Sequence, residues 1–339
     1  VTRPSSARIT TSSPPAIPQS FAFTRDPDAP RVVALTSNKV VALDLLTGED
    51  VPRELTLGTD TQLEPQEVVI SSDDHFALVT VAGSADLFTF DLTQETLPIN
   101  ILSLSGVPES MALSGAGDET LILVDDGYEL NIVHHEDFRI DVHPLEDSVN
   151  AMRMSPDGRF AVLYDADGLG RFMYYVDMEA DRVQAYLLDN PCQDVRVSPD
   201  GQALVIFYVP DPWTQQDALD AHHAVAILNL AQGDREPNPI LISSAPQGAA
   251  FAMGGTPERD DVFVPFDGVD HGLVGRFNLY TYDSKVVETP LWPRSVGVLE
   301  ADGRVVVVHS VASGMISIFP EDAPERIQFI HGFMIQDIF

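Results

Sequence analysis

The chain has 339 residues, 44% of them hydrophobic, and its 52 Asp and Glu outweigh 19 Lys and Arg to give a formal net charge of −33. A surface this acidic repels phosphate backbones and anionic headgroups, which argues against nucleic acid and lipid as partners and favours cations and basic protein patches. The single cysteine, Cys192, excludes an intramolecular disulfide and a cysteine-rich metal site. No run approaches the roughly 18 apolar residues of a membrane span, so no transmembrane segment is expected.

In chain order, residues 1–17 come first and are rich in Ser, Thr and Pro (Pro4, Ser5, Ser6, Thr10, Thr11, Ser12, Ser13, Pro14, Pro15). They read as a tether or a latch strand. A start at Val1 fits the remnant of a cleaved signal peptide, the spacer of an exported lipoprotein, or an arbitrary beginning. The expected location is extracellular, cell-surface or periplasmic, with lipid anchoring as one form of it.

From residue 18 a strand–turn–strand pattern repeats seven times. Short alternating runs come first in each unit: Phe21 and Phe23, Val68 and Ile70, Met111 and Leu113, Met152 and Met154, Val195 and Val197, Ala249 and Phe251, Val296 and Val298. Each stops at a turn cluster. The clearest are Ser155-Pro156-Asp157-Gly158 and, 43 residues later, Ser198-Pro199-Asp200-Gly201. Weaker copies begin at Thr24, Ser71, Ser114, Gly254 and Ala301. Period-two alternation ending in Pro, Asp and Gly is a strand running into a tight turn.

A continuous apolar run follows every turn: Arg31–Leu35, His75–Val81, Thr120–Val124, Arg159–Tyr164, Ala203–Tyr208, Val262–Phe266 and Arg304–His309. Such runs are strands covered on both faces. Third strands end on Asp or Asn, at Asp44, Asp91, Asp177, Asn229 and Asp283, where a short polar side chain can bond N–H groups of the next turn. Fourth strands, such as Arg182–Leu187 and Arg326–Ile330, are more polar. Pro18-Gln19, Pro65-Gln66, Pro108-Glu109, Pro246-Gln247 and Pro293-Arg294 precede the inner strands. Four strands per unit at a spacing of roughly 40 to 55 residues predict an all-β, seven-bladed β-propeller over residues 18–331, with four antiparallel strands per blade. Residues 332–339 form an apolar tail. Ala7–Thr11 resembles Ile240–Ser244 and is a second candidate for a fourth strand, one that would latch the last blade.

The Ser-Pro-Asp-Gly turns make the chain resemble bacterial seven-bladed propellers of the lactonase-like and surface-layer type, and the propeller of periplasmic translocation proteins. The resemblance implies the fold over residues 18–331. Its implication for activity, lactone hydrolysis with metal-binding carboxylates near the central funnel, finds Glu109 and Asn150 in suitable places but Gln or Arg at the others.

Propeller topology puts the fourth-to-first and second-to-third loops on one face. That face should carry a polar funnel rim of Gln19, Gln66, Glu109, Asn150, Gln193, Gln247 and Arg294. Asp165-x-Asp167-Gly168 opens like a calcium loop but lacks the later acidic positions, so it reads equally as hairpin turn chemistry; calcium is the one cofactor considered. Asp267, Asp270 and His271 supply ligand types for a metal without a motif's spacing. No Gly-x-Ser-x-Gly occurs, and Cys192 reads as a small buried hydrophobe. Trp213, in the insertion 210–221, is either a binding anchor or a side chain folded onto its neighbour, whereas Trp292 reads as packing. The leading expectation is a non-enzymatic binding or scaffold protein recognising a protein or glycan. A metal-dependent hydrolase at the funnel and a structural subunit of a larger assembly are the alternatives.

Overall fold

The computed structural model describes residues 20–332, apart from positions 55, 58–60, 95, 156, 212, 215–217, 257–258, 269, 291, 300 and 312–313. It contains seven four-stranded antiparallel sheets, the expected seven-bladed β-propeller fold. Inner to outer, sheet 1 is Ser20–Phe23, Arg31–Leu35, Lys39–Asp44 and Asp50–Glu54, and sheet 2 is Pro65–Ile70, Phe76–Val81, Asp86–Asp91 and Ile99–Ser103. Sheet 3 is Pro108–Leu113, Glu119–Val124, Glu129–His134 and Ile140–Pro144. Sheet 4 is Ala151–Met154, Phe160–Tyr164, Phe172–Asp177 and Arg182–Leu187. Sheet 5 is Cys192–Val197, Ala203–Tyr208, His223–Asn229 and Asn238–Ile242. Sheet 6 is Ala250–Met253, Asp260–Asp267, Gly272–Asn278 and Ser284–Thr289, and sheet 7 is Pro293–Leu299, Arg304–His309, Met315–Pro320 and Gln328–His331.

The chain divides into two compact units, 1–152 and 153–339. In the first, Val33 and Val40 of sheet 1 pack with Val79, Phe88 and Phe90 of sheet 2. The next residue along, Leu78, faces the other way and packs with Leu87 against Ile122 and Val133 of sheet 3. Adjacent strand residues point to opposite faces, so a sheet with a neighbour on each side needs apolar residues at every position of its middle strands. The second unit repeats this. Val205 and Ile227 of sheet 5 meet Val264 and Phe277 of sheet 6, while Phe263 and Val274 of sheet 6 meet Val305 and Phe319 of sheet 7.

The recurring Ser-x-Asp turn has one chemistry. Ser71, Ser155 and Ser198 donate their hydroxyls to Asp73, Asp157 and Asp200 at 2.5, 2.7 and 2.5 Å. The same oxygens accept the amides of Phe76, Phe160 and Ala203, which register the second strand. Ser114 does the same with Asp118 and the Glu119 amide at 3.0 and 3.2 Å. At Gly201, φ is +70°, and a Cβ would lie 2.1 Å from the Phe160 ring of the preceding sheet, so glycine is required twice over. In sheet 2 the corresponding place is held by Asp74, whose carboxylate reaches back to the amides of Arg25 and Asp26 in sheet 1 at 2.7–2.9 Å.

Three sequence expectations are adjusted. The third strand of sheet 6 ends at Asn278, not Asp283, because the Asn278 side chain captures the amides of Tyr280 and Thr281 at 3.0 and 2.8 Å. The fourth strand of sheet 7 runs Gln328–His331, shifted from Arg326–Ile330, since Pro324–Arg326 forms a turn of 3-10 helix. The candidate latch strand Ala7–Thr11, together with Gln19 and the tail 333–339, lies outside the described residues. Trp292 is 56% exposed with a positive φ of +58° and is not packed away. Cys192 is fully buried, as expected of a small hydrophobe.

Candidate functional site

The rim residues have a common structural cause. In sheets 2, 3, 5 and 7 the pairing of the inner strand shifts between Pro65 and Glu67, Pro108 and Ser110, Cys192 and Asp194, and Pro293 and Ser295. The skipped residues are Gln66, Glu109, Gln193 and Arg294. Each is the extra residue of a β-bulge, which leaves the ladder and re-aims its side chain. Gln247 stands in an equivalent break, its amide bonded to Pro265 O at 2.8 Å beside the isolated Pro246–Phe266 bridge. Asn150 is exposed just before the inner strand of sheet 4.

In the first unit, Gln66 and Glu109 share a cleft of about 650 Å³ with Ser20, Glu64, Glu67 and Thr80. Burial raises the Glu67 carboxyl above its ordinary range, partly offset by the Met111 amide that it accepts at 3.0 Å. Burial, with repulsion from Asp126 and Asp125, likewise raises Glu109. These groups hold protons more readily than free carboxylates and can donate or accept hydrogen bonds, but among the described residues no set of three or more His, Cys, Asp or Glu is arranged to hold a metal.

The proposed metal-ligand residues lie in two separate hairpins, one in sheet 4 and one in sheet 6. Asp165 accepts the amides of Asp167 at 3.1 Å, Leu169 at 3.1 Å and Gly170 at 2.6 Å, so its carboxylate caps its own hairpin loop, and Asp167 is exposed. Asp267, Asp270 and His271 occupy one hairpin in sheet 6, closed by Gly268 N to His271 O at 2.8 Å. His271 turns toward Glu288 at 3.8 Å, Asp270 faces solvent, and one Asp267 carboxylate oxygen is buried without a hydrogen-bond partner.

In the insertion of sheet 5 the described residues are 210, 211, 213, 214 and 218–221. Trp213 is 81% exposed. Its backbone is nonetheless fixed, because Asp211, only 3% exposed, accepts the Trp213 amide at 2.7 Å, the Thr214 amide at 3.3 Å and the Thr214 hydroxyl at 2.9 Å. Arg171 of sheet 4 closes an ion pair on the same carboxylate. The Asp211 amide bonds Asp220 O at 2.9 Å, and Asn190 holds Leu219 O at 2.9 Å. The Trp213 amide first, then the Arg171 guanidinium and the Thr214 donors, lower the Asp211 pKa to about 2. Arg171 was missed in the sequence, since it lies in another repeat with no local mark linking it to Asp211.

Arg171 also lines a cleft of about 570 Å³ with Gln184–Asp189, Arg235 and Glu236. The guanidinium that pairs with Asp211 therefore also forms part of a neighbouring groove.

Seven four-stranded antiparallel sheets, four of them with a bulged inner strand, define a β-propeller. One solved structure agrees with the fold, and two others align less well. The dihydro-heme d1 dehydrogenase NirN, in complex with DHE, aligns over 92% of this chain and 66% of its own at 11% identity and a TM-score of 0.54. Kuenenia stuttgartiensis hydrazine synthase aligns over 97% of this chain and 99% of its own at 14% identity with a TM-score of 0.45. The tricorn protease aligns over 94% of this chain and 35% of its own at 14% identity with a TM-score of 0.46. At these identities the likeness concerns fold alone. No protein-family model matches the sequence, and no curated protein matches it.

Proposed function

We propose that the protein is a non-enzymatic binding propeller that recognises a partner protein or glycan through a loop-bearing face, with Trp213 as its anchor. The observation that carries this reading is the pairing of an 81% exposed indole with a backbone fixed by the buried Asp211. An exposed aromatic whose own backbone N–H is held by a buried carboxylate contributes large contact area at small entropic cost. An apolar ring of this size left in water is itself unfavourable, which points to a partner that covers it. The finer likeness to lactonase-like and surface-layer-type propellers rests on the Ser-Pro-Asp-Gly turns; the surface-layer side of it agrees with a binding role.

The test is site-specific photo-crosslinking in cells that make the protein. A benzophenone amino acid replacing Trp213 should capture one discrete species, while the same group replacing Leu46, an exposed apolar residue of the other unit, should not. Equal capture at both positions, or none at 213, would remove the reading.

A further inference from the structure

Every fourth strand is the outer edge of its sheet, and most of these edges are guarded. Asp50–Glu54 contains Pro52 and three charges, Ile140–Pro144 ends in Pro144, Asn238–Ile242 contains Pro239, and Ser284–Thr289 carries Lys285 and Glu288. Proline and charge are how edge strands avoid pairing with other chains. The edges of sheets 2, 4 and 7 differ: Ile99–Ser103 and Gln328–His331 carry neither device, and the edge of sheet 4 in addition lines a cleft. After Arg182 the sheet 4 edge runs Val183-Gln184-Ala185-Tyr186-Leu187, with neither device.

The ladder tells which of its backbone groups are free to pair. Leu188 N bonds Arg171 O at 2.7 Å, and the register sets Leu187 opposite Phe172, Tyr186 opposite Met173 and Ala185 opposite Tyr174. Antiparallel pairs alternate between bonded and non-bonded, so Tyr186 and Gln184 spend their N–H and C=O groups inside the sheet. Those of Val183, Ala185 and Leu187 point to the outer side, where no described strand pairs. This edge lines the cleft of about 570 Å³, whose far wall is Arg235 and Glu236 of sheet 5 and whose end is Arg171, the ion-pair partner of Asp211. The open stretch from Val183 to Leu187 spans about 16 Å at strand rise.

We infer that this groove receives an extended basic peptide of a partner protein, added as a fifth strand to sheet 4. The main-chain groups of Val183, Ala185 and Leu187 supply the ladder, as in strand addition generally. Charge selects a basic sequence. Of the two arginines and two carboxylates lining the cleft, Arg171 is engaged by Asp211, which leaves Asp189 and Glu236 against the single Arg235, in a chain of net charge −33. This inference rests on the binding role proposed above and assigns it a partner class. The groove and the Trp213 anchor nevertheless fail separately.

The experiment selects ten-residue peptides from a display library on immobilised full-length protein. Enriched peptides are then synthesised with a fluorophore and titrated against wild type, A185P, A185S and W213A. Proline at 185 removes one outward N–H and blocks an incoming strand, while leaving inward bonds intact. The expected result is enrichment of Lys- and Arg-containing peptides, affinity reduced at least tenfold by A185P, and affinity within twofold for A185S. N-methylation at alternate peptide positions should abolish binding in one parity and spare it in the other, a readout independent of how A185P folds. Enrichment of no peptide, or binding insensitive to both A185P and N-methylation, would overturn the groove; binding to a glycan array instead would do the same. Loss with W213A but not with A185P keeps the anchor and removes the groove, and the opposite pattern removes the anchor alone.

Discussion

Replacing Ser198 by Ala tests the chemistry by which the repeat builds its sheets. The Ser198 hydroxyl is fully buried, donates to Asp200 at 2.5 Å and accepts the amide of buried Ala203 at 2.9 Å. Its removal strands a buried N–H and deprives a carboxylate of a donor, a loss of about 2 kcal/mol. An unfolding entropy of about 2.1 cal/mol/K per residue over 339 residues gives roughly 0.7 kcal/mol/K, so the melting midpoint should fall by about 3 °C. Scanning calorimetry reads this directly. A double-mutant cycle with Asp200→Ala should show coupling of about 1 kcal/mol, because both changes remove the same bond. A midpoint shift under about 1 °C, or strict additivity, would refute the claim that this bonded pair fixes the turn.

Other consequences follow from the sites. With Asp211 held near a pKa of about 2, its bonds persist at neutral pH and are lost as pH falls from the ordinary carboxylate range through 2; the protection of the Trp213 and Thr214 amides relative to unstructured peptide should fall over that window and, in Asp211→Asn, be low already at pH 7. Glu109 behaves oppositely. Its raised folded pKa makes the charged form unfavourable, so stability should rise as pH falls toward that pKa, and Glu109→Gln should raise the melting midpoint at pH 7 and flatten its pH dependence. Burial pushes the Cys192 thiol up to about 12, so iodoacetamide at pH 8 should leave native protein unmodified and alkylate it only in denaturant, by mass spectrometry.

The fold was legible because each level of the sequence agrees. Alternation, turn residues and doubly covered apolar runs recur in phase, and the second strands Arg31–Leu35, Ala203–Tyr208 and Arg304–His309 are found where their hydrophobic runs begin and end. The third strand of sheet 6 was misplaced because Tyr280-Thr281-Tyr282 alternates like a strand, although the Asn278 side chain has already captured the backbone there. Local pattern does not register that competition. The rim was partly legible, since Gln66, Glu109, Gln193 and Arg294 follow a repeated position, but their bulges exist only in the register with the second strand. Arg171 and Asp211 carry no mutual signature, because contacts between repeats depend on how neighbouring sheets stack. Trp213 and Trp292, both flanked by prolines, illustrate the same limit: exposure is a property of packing and leaves no mark in composition.

The account turns on the Trp213 loop, so the most direct measurement is the affinity of purified wild type and W213A for the species captured by crosslinking at that position. A tryptophan anchor contributes about 2 kcal/mol or more, so W213A should bind at least thirty-fold more weakly, with an unchanged melting midpoint. Affinities within twofold of each other would contradict it.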